Sequence, residues 1–138
     1  MIVYVSRRER FSSAHKLCNP TLTEEENNQI YDKCAYPNYH GHNYELFVTV
    51  KGEINPKTGY TMDMKILSKL MKERVVNKLD HKNLNLDVDF LKDKITTTEN
   101  ILVSIWNELD GPVQSLGCSL HKIKLVETEN NYAEYYGN

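Results

Sequence analysis

The sequence has no apolar run long enough to cross a membrane, no internal repeat and no run of basic residues. The apolar stretch at its N-terminus is shorter than a signal-peptide core, and charged residues follow it rather than precede it. We therefore expect a cytoplasmic protein that binds neither a membrane nor nucleic acid. The formal net charge of −2 fits this expectation, although it leaves room for a local anion-binding pocket.

Cysteine is also scarce, with only Cys18, Cys34 and Cys118 in the chain. An odd number without paired spacing argues against a disulfide framework, and so does a reducing cytoplasm. The remaining composition is ordinary for a globular protein, with 40% hydrophobic and 26% charged residues. A chain of 138 residues is long enough to bury a real core, so we expect residues 1–138 to form a single domain.

Hydrophobic periodicity predicts four strands and three helices. The strands are expected at residues 2–15, 43–51, 119–128 and 131–136. Helices are expected at 63–79 and 98–109, with a shorter one at 23–32. The main order is strand, strand, helix, helix, strand, strand. This order predicts an α+β domain, in which a four-stranded antiparallel sheet carries two helices on one face. The strands have apolar or aromatic residues on both sides, so we also expect oligomerisation.

Helix ends can be predicted from capping residues. Thr23 and Glu26 form a capping-box pattern, and Asp63 is a plausible N-cap for the next helix. We expect Thr98 to cap the last helix and Gly111-Pro112 to end it.

Histidines provide a candidate metal site. His40 and His42 flank a glycine just before a strand, and residues two apart in extended backbone point the same way. His15 ends the first strand and is the best-placed third ligand, although His121 competes with it. Three neutral imidazoles suit zinc and leave a fourth position open for catalysis. Unconnected polar residues are the alternative, because a short H-x-H motif is weak evidence by itself.

Several acid–base groups have both a functional and a plain structural interpretation. Cys34 lies near the histidine pair and is either a reactive thiolate or a small buried side chain. Asp80-His81 is either a carboxylate–imidazole pair or a helix end that complements the dipole. Glu127 follows an apolar stripe that we expect to hold His121 on the same face, and its carboxylate could accept two parallel N–H groups. It is otherwise a solvated residue at the sheet rim.

Five segments together resemble the eukaryotic-type 6-pyruvoyl tetrahydropterin synthases over nearly the whole chain. They are FSSAHKL, CAYPNYHGHNY, LDHKNLN, TTENI and VETENN, in the family's order and at compatible distances. The resemblance implies the tunnelling fold (T-fold), in which trimers close their sheets into a barrel and two trimers stack into a homohexamer. It also implies conversion of 7,8-dihydroneopterin triphosphate to 6-pyruvoyl-tetrahydropterin and triphosphate, in tetrahydrobiopterin synthesis.

The resemblance further implies residue roles. The zinc ligands would be His15, His40 and His42. Cys34 would be the proton-abstracting base, with Asp80 and His81 as a relay. The pterin would be anchored by Glu127, in a pocket also lined by Glu99, Thr97 and Thr98.

Two other functions compete with this interpretation. The first is a 6-carboxy-tetrahydropterin synthase, which shares the zinc triad and the fold, but the five-residue gap between Cys34 and His40 and the ETENN segment favour the pyruvoyl enzyme. The second is a non-catalytic zinc- or pterin-binding module. Binding alone requires none of Cys34, Asp80 and His81, so their presence together argues for an enzyme.

Overall fold

Five strands form one sheet in a computed structural model that describes all 138 residues. The strands are β1 (Ile2–His15), β2 (His40–Glu53), β3 (Lys82–Asn83), β4 (Ser119–Thr128) and β5 (Asn131–Tyr135). Their order across the sheet is β3-β1-β2-β4-β5. The four long strands are antiparallel, which confirms the predicted α+β architecture, and β3 adds a two-residue strand parallel to β1.

The pairing of β1 with β2 is unbroken from Ile2 opposite Glu53 to His15 opposite His40. The second strand is therefore longer than the predicted 43–51, and it includes the two histidines that were expected just before it. The register also places His42 opposite Ser13. Because directly opposed residues share a face, His15, His40 and His42 all project from the same side of the hairpin.

The helices are α1 (Glu24–Tyr31), α2 (Met64–Met71), α3 (Asn77–Leu79) and α4 (Thr98–Ser115). Helices α2, α3 and α4 pack on this side of the sheet. The capping box of Thr23 and Glu26 and the N-cap Asp63 are confirmed. A wider π-helical turn at Lys72–Val76 joins α2 to α3, so the predicted helix 63–79 is one helical run with a local change of pitch. No helix is both long enough and apolar enough to span a membrane.

Helix α4 differs from the prediction at both ends. Its N-cap is Thr97, whose hydroxyl accepts the backbone N–H of Asn100, and Thr98 is already inside the helix. Gly111-Pro112 does not end the helix, which continues to Ser115 because Val113 is fully buried. The break comes instead at Gly117, whose φ of 85° is a left-handed conformation that suits glycine.

The core lies between the sheet and α2–α4. It is built by alternate residues of β2 and β4 together with the apolar stripes of the helices: Leu46, Val48, Val50, Ile123, Leu125, Leu67, Met71, Ile101, Ile105 and Leu109. The opposite face of the sheet is more polar than expected. It carries the ion pairs Arg8–Glu45 and Lys122–Glu134 beside aromatic residues such as Tyr4.

Truncating a core residue of α4 should therefore destabilise the protein far more than truncating an exposed one. Ile105→Ala removes a fully buried side chain, and we expect it to lower the free energy of unfolding by about 3 kcal/mol. Val103→Ala is the matched control, since Val103 is 38% exposed in the same helix. It should cost only about 0.5 kcal/mol. Denaturant titration at fixed protein concentration measures both, and equal losses would contradict the assigned helix face.

Candidate metal centre and active site

Three imidazoles meet at the end of the β1–β2 hairpin. One potential ligand nitrogen from each of His15, His40 and His42 lies within 4.8 Å of the other two. The three ring centroids are 4.7–5.1 Å apart. The structure thus brings together the three histidines that the sequence predicts, and it does so through strand register rather than through a flexible loop.

His15 is oriented by a single backbone contact. Its ring is 1% exposed, and its Nδ1 lies 2.8 Å from the carbonyl oxygen of Thr96. A carbonyl can only accept, so Nδ1 carries the proton and Nε2 keeps its lone pair. This Nε2 and that of His42 are buried without a hydrogen-bond partner. Two unpartnered ring nitrogens facing a common centre fit a bound metal ion, and the Thr96 carbonyl would orient its ligand.

The electrostatics also favour neutral imidazoles. Burial, with smaller effects of the neighbouring His40 and His42, lowers the pKa of His15 from 6.5 to about 4. Burial, followed by the charge of His42, lowers the pKa of His40 as well. Neutral imidazole is the metal-binding form, so neither ring needs to lose a proton at neutral pH before it binds a metal.

Glu127 stands beside the triad. Its Oε2 lies 3.9 Å from His15 Nε2 and accepts the hydroxyl proton of Thr98 at 2.8 Å. Its Oε1 lies 3.9 Å from His42 Nε2 and receives no hydrogen bond. The carboxylate is 21% exposed, so it can meet a ligand while it is held from one side. The structure therefore joins the histidines, Glu127 and Thr98 into one polar cluster.

Asp80 and His81 form a second cluster on the outer edge of β1. Asp80 accepts the backbone N–H of Ser12 through Oδ1 and contacts His81 Nδ1 through Oδ2, both at 2.9 Å. The His81 backbone N–H donates back to the Ser12 carbonyl at 2.6 Å. The Ser12 N–H and then the His81 ring lower the pKa of Asp80, which keeps this residue a carboxylate. His81 is 84% exposed and His42 lines the same open depression, so the imidazole is available for proton exchange near the triad.

The backbone of Cys34 is hydrogen-bonded close to the end of β1. It lies in a short 3-10 turn, Asp32–Ala35, and its carbonyl oxygen accepts the N–H of Leu17 at 2.7 Å. Leu17 is two residues beyond His15, so the turn is attached next to the first histidine. The thiol is exposed, which does not match the alternative of a buried structural cysteine.

The other predicted residues have mixed positions. Thr97 caps α4 beside Thr98, whereas Glu99 is exposed in the first turn and makes no contact with the cluster. His121 is not a ligand. A bulge in β4 pairs Thr49 with Lys122 and Val50 with Leu120, so His121 has no partner in the ladder. This extra residue interrupts the alternation and turns His121 away from Ile123 and Glu127, toward Tyr4 at a ring distance of 4.5 Å.

Sequence reasoning missed two residues of the cluster, Thr96 and Tyr44. Thr96 acts through its carbonyl, which no sequence pattern reveals, although it directly precedes the threonine pair considered above. Tyr44 follows His42 by two positions, so alternation places it on the same face. This spacing from His42 could have identified Tyr44 as a residue of the site from the sequence.

The fold and the cluster together define a class of protein: an α+β domain with a three-histidine cluster that could hold a metal ion and an adjacent carboxylate. The family model described as PTPS, 6-pyruvoyl tetrahydropterin synthase, matches residues 4–138. Among curated proteins, the human 6-pyruvoyl tetrahydrobiopterin synthase is 47% identical over 96% of this chain and 90% of its own length. The Dictyostelium discoideum protein of the same name is 47% identical over 98% and 96%, respectively.

Solved structures agree with the sequence comparisons. The structure of 6-pyruvoyl tetrahydropterin synthase from Caenorhabditis elegans superposes with a TM-score of 0.93 at 35% identity. The alignment covers 100% of this chain and 97% of that one. The chain therefore belongs to the 6-pyruvoyl tetrahydropterin synthase family.

Removing one imidazole should remove the metal. We expect His15→Ala to lower the metal content of the purified protein by about tenfold or more, because two ligands remain and the Thr96 carbonyl loses its partner. His121→Ala is the control and should keep the metal content of the unmodified protein. Elemental analysis by mass spectrometry measures both. Equal metal content in the His15 variant would refute its assignment as a ligand.

Proposed function

We propose that this chain is a zinc-dependent 6-pyruvoyl tetrahydropterin synthase. It would convert 7,8-dihydroneopterin triphosphate to 6-pyruvoyl-tetrahydropterin and inorganic triphosphate, the activity that its resemblance implies. The observation that carries the proposal is the meeting of three imidazoles with the Glu127 carboxylate at 3.9 Å from two of them. The names of the similar proteins support the same activity.

Zinc is the metal that the donor set favours. Three imidazole ligands would leave a fourth zinc position open, as in catalytic rather than structural zinc sites. When bound, zinc would act as a Lewis acid toward the oxygens of the substrate side chain and acidify the adjacent C–H bond. His15, His40 and His42 would hold it, and His15 is buried.

Proton transfer is assigned to Cys34 and to the Asp80–His81 pair. The Cys34 thiolate takes the proton from carbon, and triphosphate leaves with the electrons of its C–O bond. His81 shuttles a proton for the tautomerisation, while Asp80 fixes its Nδ1 as the protonated nitrogen and leaves Nε2 facing solvent. The reduction is internal to the substrate, so no external reductant is needed.

Pterin recognition is assigned to Glu127. Its carboxylate has one oxygen held by Thr98 and one without a donor, and it can accept the two N–H groups of an amino-pyrimidine edge. Thr97 and Thr98 sit at the N-terminus of α4 and would line the same pocket. Glu99 contributes only if substrate or a neighbouring chain reaches the exposed first turn.

The active protein is a homo-oligomer in this proposal, with a hexamer of two stacked trimers as its form and residues 1–138 as its single domain. Two free sheet edges support this. β1 is paired on its outer side only at Ser13 and Ala14, and β5 is an edge strand. Open edges of this length are ready to pair with other strands.

A product assay tests the reaction. We expect the purified, zinc-loaded protein to release triphosphate from 7,8-dihydroneopterin triphosphate and to form the 6-pyruvoyl product, identified by its mass. The 6-carboxy product alone would assign the chain to the deazapurine-forming alternative. Binding of the pterin without any product would indicate the non-catalytic module.

The role of Cys34 needs a separate variant. We expect Cys34→Ala to retain zinc and pterin affinity but to lose turnover by about 100-fold or more, since general base catalysis contributes on that scale. Cys18→Ala is the control, because Cys18 is also near the end of β1 but has no assigned role. An unchanged rate in Cys34→Ala would show that its thiol is not the base.

A further inference from the structure

Tyr44 carries a buried hydroxyl that binds nothing in the protein. The side chain is 0% exposed, and its oxygen has no hydrogen-bond partner. Only three side-chain polar atoms of the chain share that state, and the other two are the Nε2 atoms of His15 and His42. Native proteins rarely leave a buried donor unpaired, so each such group requires an explanation. A bound metal ion would pair with the two histidine nitrogens, but it would leave the Tyr44 hydroxyl without a partner.

The Tyr44 ring is firmly placed. It stacks on Phe11 with ring centroids 4.9 Å apart and planes 14° apart. It also meets the edge of the His42 ring at 5.6 Å and lies 6.3 Å from His15. Tyr44 therefore forms the floor of the metal centre. Packing does not require the hydroxyl, because phenylalanine would fill the same space.

The register of β2 and β4 suggests an acceptor for the Tyr44 hydroxyl, the Glu127 carboxylate. Glu45 of β2 pairs with Val126 of β4 as the last pair of this ladder, and Tyr44 and Glu127 are the next residues on the two strands, both beside His42. The Glu127 carboxylate already takes one proton donor, Thr98, at Oε2, while Oε1 receives none. A donor without an acceptor and an acceptor without a donor thus lie on neighbouring strands of one buried cluster.

We propose that the Tyr44 hydroxyl is a positioning group for Glu127, hydrogen-bonding its Oε1 side when pterin fills the site. Together with Thr98, it would hold the carboxylate in the plane that matches the two N–H groups of the substrate. This assignment rests on the proposed function, since it presupposes that Glu127 binds the pterin. It adds to that function a specificity-determining residue that contacts neither the metal nor the reacting atoms.

The test combines Tyr44→Phe with Glu127→Gln and with the double variant. The substitution in Tyr44→Phe keeps the ring and its stack on Phe11. We expect it to weaken binding of 7,8-dihydroneopterin by about tenfold, the effect of one lost hydrogen bond to a charged group. KM for the triphosphate should rise by the same factor, with kcat nearly unchanged. Metal content should stay at the unmodified level. Tyr135→Phe is the control, because Tyr135 lies on the edge strand β5 and packs on Trp106 of α4.

The double variant separates positioning from an independent contact. If Tyr44 acts through Glu127, the double variant binds pterin no more weakly than Glu127→Gln alone. Additive losses would overturn the proposal, and so would unchanged binding in Tyr44→Phe.

Thermal melting of the metal-free protein gives a readout that does not depend on turnover. An unsatisfied hydroxyl destabilises the folded chain, so Tyr44→Phe should melt at the same temperature or higher. A drop of several degrees would assign the hydroxyl to a structural hydrogen bond and refute a role toward the ligand.

If the unmodified protein neither binds nor converts the pterin, the proposed function fails. If it does both while Tyr44→Phe behaves identically, only this inference fails.

Discussion

The hydrogen bond between His15 Nδ1 and the Thr96 carbonyl is the contact on which the geometry of the histidine triad depends. It spans 2.8 Å between the end of β1 and the segment that leads into α4. It fixes the tautomer of a ring that is almost fully buried, and it points the unprotonated Nε2 toward the other two histidines. Without that contact, the ring would have no reason to hold one orientation. Burial then keeps the imidazole neutral, by lowering its pKa to about 4.

The segment of Thr96, Thr97 and Thr98 contacts both the histidine triad and Glu127. Thr96 orients the metal ligand through its carbonyl, and Thr97 begins α4 as its N-cap. Thr98 then directs its hydroxyl to Glu127 at 2.8 Å. Three consecutive threonines therefore connect the helix start, the metal centre and the carboxylate. A small shift of α4 on the sheet would disturb all three, which explains why Val113 and Ile105 anchor this helix so deeply.

The Asp80–His81 pair is built differently from the histidine triad. Asp80 and His81 lie on the exposed edge of β1, and they are fixed by a reciprocal pair of bonds to the Ser12 backbone. His81 has a φ of 59°, a left-handed conformation that costs energy for a residue with a side chain. The surrounding bonds maintain it. The cluster of histidines and Glu127 is thus largely buried, whereas the Asp80–His81 pair is held by backbone hydrogen bonds but open to solvent.

Local pattern alone determined much of this protein. Alternation and capping residues predicted the long strands, the start of α1 and α2 and the shared face of the histidines, because these depend only on backbone geometry within a few residues. Tertiary structure decided the rest. The third ligand was ambiguous between His15 and His121 until the register of β1 and a bulge in β4 separated them. The end of α4 required the burial of Val113, which overrides the breaking tendency of Gly111-Pro112. The carbonyl of Thr96 and the hydroxyl of Tyr44 acquire their meaning from residues far away in the chain, and a sequence does not display those distances.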